Sequence, residues 1–179
     1  MMPEHVKKEM ITRKSYFHIL LIILSSLLFY SPSALSKKNP KHLENLLGWK
    51  EGSVIIQTHA NENVKFRVLI AESNKERRQG LMHIESMEED QGMLFIFDPG
   101  RKVSMWMRNT PMTLDMIFID RNGKIINIAE NTIPYSTKGI SSGGIINWVL
   151  EINGGLSNRM NINNGDTVSL SSTEGHDEE

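Results

Sequence analysis

Ten residues, from Trp106 to Asp115, hold the densest collection of distinct side-chain chemistries in the chain: an indole, an amide at Asn109, a hydroxyl at Thr110 and the Asp115 carboxylate. A small-molecule site needs an apolar wall and a few fixed polar groups. Trp106 supplies the wall, while Asn109 and Thr110 offer both donors and acceptors. Arg78, near the end of an expected helix, adds a planar cationic fork that suits a carboxylate or a sugar hydroxyl. Arg78, Trp106, Asn109, Thr110 and Asp115 are therefore the expected ligand-binding set. The competing reading is that Asn109, Thr110 and Asp115 bond nearby backbone groups and hold the loop, as short polar side chains do in turns.

Two further chemistries are written in residue types. Asp115 lies between Leu114 and Met116, and a carboxyl with apolar neighbours can be shifted into use as an acid or base. Paired with Glu151, it would suit a hydrolase or isomerase if both groups met in one pocket. Seven of the eleven methionines fall between Met82 and Met116, and thioethers suit Cu(I). Met105, Met107, Met112 and His83 are the candidate copper ligands, with Met105 and Met107 on one strand face. Methionine is also an adaptable core filler, which accounts for the same cluster without a metal. Other templates fail on context. Gly139-Ile140-Ser141-Ser142-Gly143 has the spacing of a nucleophile elbow but leads into a strand where that motif needs a helix. His42, His59, His83 and His176 show no paired metal-ligand spacing. There is no phosphate-cradling glycine loop and no dinucleotide fingerprint. The absence of cysteine excludes disulfides, thiolate metal sites, cysteine nucleophiles and a lipoprotein anchor. No cofactor is expected.

The elements that must position these groups read mainly as strands. Residues 53–58 form the first, and Asn61-Glu62-Asn63 turns the chain. Val64, Phe66, Val68 and Ile70 then alternate with Lys65 and Arg67, the period of a half-buried strand. Ser73 and Glu76 form a capping box, with Gly80 placed to end a short helix. Residues 93–97 are an apolar run, Asp98-Pro99-Gly100 a turn, and 103–107 a further strand. Residues 114–120 and 124–129 flank Asn122-Gly123, a two-residue hairpin turn. Residues 145–152 and 167–170 complete about eight short strands. The fold class is mainly β: a single antiparallel sandwich or barrel-like domain over 53–170, with one short helix near 73–80.

Several of these segments, in this order, resemble the domain-of-unknown-function 192 family of bacteria and archaea. The matching pieces are Arg78-Gln79-Gly80-Leu81-Met82, Gly92-Met93-Leu94-Phe95-Ile96-Phe97, Trp106-Met107-Arg108-Asn109-Thr110 with Leu114-Asp115, and Phe118-Ile119-Asp120. Val149-Leu150-Glu151-Ile152-Asn153-Gly154-Gly155 and Asn164-Gly165-Asp166-Thr167-Val168 complete the set. Ile84, where members often carry arginine, and Thr113, where many carry proline, depart from the pattern. The resemblance implies a small β-rich domain, often exported, and brings no established reaction.

The compartment is read from the N-terminus. Lys7, Lys8, Arg13 and Lys14 precede an apolar run over 19–30, and Ala34-Leu35-Ser36 follows as a small-x-small site. Residues 1–36 are therefore an expected signal peptide, residues 37–52 a polar linker with a possible short helix, and 171–179 a disordered acidic tail. Sixteen basic and nineteen acidic residues, a net of −3, remain on 37–179. A slightly acidic domain lacks the footprint of a nucleic-acid binder. The expectation is a periplasmic or secreted monomer, free of the membrane once the signal is cleaved, that binds a small molecule or an envelope component without catalysis.

Overall fold

The computed structural model describes residues 42, 43, 46 and 48–172. The expected signal peptide, half of the linker and the tail beyond Ser172 lie outside the described residues.

Apolar–polar alternation sets the architecture. β1 (Lys50–Gln57) and β2 (Asn63–Ala71) form an antiparallel pair, and each turns its alternate side chains inward. Ser73 then caps α1 (Asn74–Gln79): its hydroxyl accepts from the Glu76 N–H, and the Glu76 carboxylate accepts from the Ser73 N–H. The expected capping box is thus present. Gly80 closes the helix at a φ of 45° and lies so near the Phe95 ring that an added Cβ would come within 3.1 Å of it. α1 is the crossover that brings β3 (Gln91–Arg101) beside β2 in parallel.

That parallel pair is where the sheet departs from the antiparallel expectation. A short helix between two strands lets the chain re-enter the sheet in the same direction, which a tight turn cannot do. Asp98-Pro99-Gly100 does not end the strand either. It lies inside β3 as an irregularity, with the register to the neighbouring strand shifting between Ile96 and Arg101. A bulge is a position where a sheet tolerates proline.

β4 (Ser104–Met105), β5 (Leu114–Ile119), β6 (Ile125–Ala129), β7 (Ile140–Ser141), β8 (Ile146–Asn153), the single-turn helix α2 (Leu156–Arg159) and β9 (Thr167–Ser172) follow. Seven strands make one sheet in the order β6-β5-β8-β3-β2-β1-β9, and β4 pairs with β7 in a small second sheet. The large sheet is mixed and strongly curled. Its two edges meet at one end: Val168 N–H donates to Gly123 C=O at 2.7 Å, and Ile125 N–H to Asp166 C=O at 3.0 Å. The hairpin between β5 and β6 is a three-residue loop, not the two-residue turn expected. Asp120 and Lys124 bond across it, and Gly123 at a φ of 79° follows a tight turn closed by its own N–H to Asp120 C=O. β7 and α2 had no counterpart in the sequence reading, being two and four residues long.

The core has two faces. Inside the curl lie Val54, Ile56, Phe66, Val68, Leu94, Ile117 and Leu150, joined by Ile125 and Val168 from the edge strands. On the outer face, Met93, Phe95, Phe97, Met116, Phe118 and Val149 are covered by Leu81, Ile84 and Met87 from the segment after α1 and by Met107. Ile84 belongs to this cover, at 2% exposure. Among the described residues, no helix is long and apolar enough to cross a membrane.

Candidate functional site

The outer face carries one group that does not match its surroundings. Glu151 stands on β8 opposite Met93 of β3 on one side and Met116 of β5 on the other. Directly opposed residues share a face, so its carboxyl projects where the outer-face core lies. It is 4% exposed and has no hydrogen-bond partner within the protein. Burial alone pushes its pKa up to about 8, so at neutral pH it is largely a neutral carboxylic acid.

This carboxyl lines a cavity of about 370 Å³, bounded by α1 and Gly80 on one side and by the chain from Arg101 to Thr110 on the other. Phe95, Phe97, Leu81 and Met105 supply apolar wall, and Thr110 adds a hydroxyl that donates to Arg108 C=O at 3.3 Å. Five cations share the lining: Arg77 and Arg78 from α1, Arg101 and Lys102 at the end of β3, and Arg108 after β4. Arg77 and Arg101 both pack on the Phe97 ring, at 5.4 and 5.0 Å from its centroid. Arg77 is anchored by the Ile96 carbonyl at 2.8 Å and Asn74 Oδ1 at 2.7 Å. Burial, followed by the charge of Arg101, lowers its pKa. The ion pairs among the described residues are Lys50–Glu72, His59–Asp166, Arg67–Asp90 and Arg159–Glu89. None includes a cation of this cavity. An acidic domain has therefore gathered five positive charges around one hollow whose lining offers a single, mostly neutral carboxyl.

The structure separates the expected site residues. Arg78, Trp106 and Thr110 line the cavity. Trp106 is 42% exposed and stacks under Arg108 at 5.1 Å, so it forms part of the mouth. Asn109 does not line it. Its φ of 57° shapes the loop, and its carbonyl accepts from His83 N–H at 2.7 Å. Asp115 is a staple. Fully buried, its carboxylate accepts from Asn131 N–H at 2.8 Å, Gly155 N–H at 2.9 Å, Ser157 N–H at 2.9 Å and the Ser157 hydroxyl at 2.5 Å. It stands opposite Ile152, whose side chain belongs to the inner core. Asp115 and Glu151 thus point to opposite faces of the sheet, and the paired-carboxylate arrangement does not form. The strand's period of two decides this, since an odd register offset places the two groups on different faces.

The copper set does not converge. β4 ends at Met105, so Met107 does not share its strand face. Met107 is fully buried, with its sulfur accepting from the Thr132 hydroxyl at 3.2 Å. Met105 lines the cavity, Met112 packs against the outer core, and His83 borders a different hollow beside Met82. Ser141, the serine at the nucleophile position of the elbow-like segment, stands exposed in β7, and its hydroxyl accepts from Gly143 N–H at 3.2 Å, as a turn residue does.

Four cavity cations, Arg77, Arg101, Lys102 and Arg108, were missed in the sequence reading. A local signal existed: from Pro99 to Leu114 the chain has three cations and no carboxylate. That Arg77 and Arg78 join them depends on the α1 crossover.

The DUF192 family model, described as an uncharacterized ACR, matches residues 55–170. No curated protein matches the chain. Among solved structures, a candidate transcription regulator from Sinorhizobium meliloti 1021 is 37% identical with a TM-score of 0.67, over 68% of this chain and 95% of that one. A protein of unknown function from Novosphingobium aromaticivorans DSM 12444 is 34% identical with a TM-score of 0.67, over 69% of this chain and 88% of that one.

Proposed function

The chain belongs to the DUF192 family, and on that premise we propose that it is an exported cell-envelope domain that binds a small anionic molecule in the cavity beneath α1. The observation that carries the reading is the set of five cations at the cavity, none of them in an ion pair, with the Glu76 charge acting on Arg77 from outside the lining. Like charges held together repel one another, and an anion seated among them relieves that repulsion. The volume falls in the range usual for small-molecule sites, and Phe95 and Phe97 give apolar wall beside the charges. The reading is non-enzymatic, because the lining holds one carboxyl and no histidine, and Lys102, its other acid–base group, is not paired with that carboxyl. Export rests on the basic region, apolar run and cleavage-type site of residues 1–36. A nucleic-acid-binding regulator fits less well, since the cations surround a hollow in a domain of net negative charge.

Thermal unfolding with inorganic phosphate or citrate tests this. A ligand of the native state alone must raise the melting temperature with concentration. The rise should be lost in an Arg78→Ala/Arg108→Ala double variant, whose replaced side chains make no ion pair. An equal rise in that variant would mark general salting-out and overturn the reading, as would no rise in the wild type.

A further inference from the structure

Glu151 presents a question that anion binding alone leaves unanswered. Glu151 is buried except where its carboxyl meets the cavity, and a polar group in such a place is normally met by a ligand or a water. A structural role would give it donors, as Asp115 receives from four groups on the other face of the same sheet. Glu151 has none, and β3 and β5 offer it only Met93 and Met116 as opposed neighbours. The charged groups that share its cavity are Arg77 and Arg78 from α1, Arg101 and Lys102 from the end of β3, and Arg108 from the following loop. None of them bonds its carboxyl. Its open side is the cavity.

A neutral carboxyl offers one O–H donor and one carbonyl acceptor on a single plane. A hydroxyl is one neutral group that can satisfy both in turn, and it brings no charge to be desolvated. An ammonium would require an ionised carboxylate in a pocket whose burial disfavours that form. Building on the anion reading, we propose that the cavity takes a free hydroxylated anion, held by its acidic group among the arginines and by a hydroxyl at the carboxyl of Glu151. Glu151 is then the residue that determines specificity, while the cations supply general affinity. A site made to hydrogen-bond a hydroxyl rejects the analogue that lacks it, because its own polar group is left unpaired.

Calorimetric titration with matched probes tests this: glycerol 3-phosphate against propyl phosphate, and glucose 6-phosphate against cyclohexylmethyl phosphate. Wild-type protein should prefer the hydroxylated member of at least one pair by about tenfold or more. Glu151→Leu fits between the methionines. It should lose the preference while keeping affinity for the deoxy probe. Glu151→Gln should keep part of the preference. Wild-type affinity should fall as pH rises past about 8, because ionisation sets a negative charge beside the anion, and Glu151→Gln should flatten that fall. Equal binding of both members of both pairs overturns this inference and leaves anion binding standing. Binding of neither overturns both. Tighter binding of phosphoethanolamine than of glycerol 3-phosphate at pH 7 would replace the hydroxyl by an ammonium and also overturn it. Phosphatidylglycerol vesicles should leave the protein in the supernatant. Pelleting that Glu151→Leu abolishes would place the hydroxylated anion on a lipid and overturn a free ligand.

Discussion

Asp115 and Glu151 sit on neighbouring strands, both buried, and what surrounds each carboxyl gives it a different task. Asp115 is enclosed by four donors that tie the loop at Asn131 and the start of α2 to β5. Asp115→Ala leaves those donors buried without an acceptor and is expected to cost at least about 3 kcal/mol in urea titration. Asn109→Ala gives up the tolerance of asparagine for a left-handed backbone and a long Nδ2 contact to Met82 Sδ at 3.9 Å, about 1 kcal/mol. A loss below ~1 kcal/mol at Asp115 would refute the staple. For Glu151 the prediction is a pH dependence. Its carboxyl ionises near pH 4.5 in the unfolded chain and near 8 in the folded one. Between those values the folded state holds the extra proton, so stability falls as pH rises through that window. The fall is on the order of 3–5 kcal/mol. Glu151→Gln removes it. Unfolding midpoints of the two proteins should diverge in favour of the variant between pH 5 and pH 8.5, and parallel curves would refute the buried neutral acid.

Turns and caps are local, and at the scale of elements they were the most legible features. Ser73 and Glu76 announce α1 because both halves of a capping box lie within four residues. The Asn122-Gly123 pair marks a hairpin correctly but not its type, because Asp120 recruits three loop residues: its carboxylate accepts from Asn122 N–H at 2.8 Å and Lys124 N–H at 2.9 Å. That difference places all the strain on Gly123. A Cβ there would meet the Val168 carbonyl at 2.4 Å, at a φ of 79°. Gly123→Val should therefore cost about 2–3 kcal/mol, read as a lower melting temperature, and an unchanged one would show that the two edges part easily. The parallel pairing of β2 with β3 was not legible, because strand direction is fixed by where α1 packs. For the same reason the candidate site was only half legible. Trp106 and Thr110 stand in one segment, whereas Glu151 comes from β8 and Arg78 from α1. Residue types are visible along a chain, but the strand face that each side chain takes depends on register with partners far away.

For the whole molecule, the deciding feature is that the sheet begins and ends in the same place. β1 pairs with β9 along six residue positions, from Gly52–Ser172 to Gln57–Thr167, and β9 in turn reaches Gly123 at the far edge. Val168 of β9 also belongs to the inner core. Removing residues 167–179 should therefore abolish cooperative unfolding, since the inner face opens and β1 is left as a bare edge. A truncated protein that melts cooperatively at the original temperature would show β9 to be dispensable. The wiring also sets a clock. In a chain made from its N-terminus, every strand from β2 to β8 is made between β1 and the strand that closes against it, and long-range pairings of this kind form late. Until β9 is released the polypeptide stays threadable, and the moment at which it stops being so is written in that one strand.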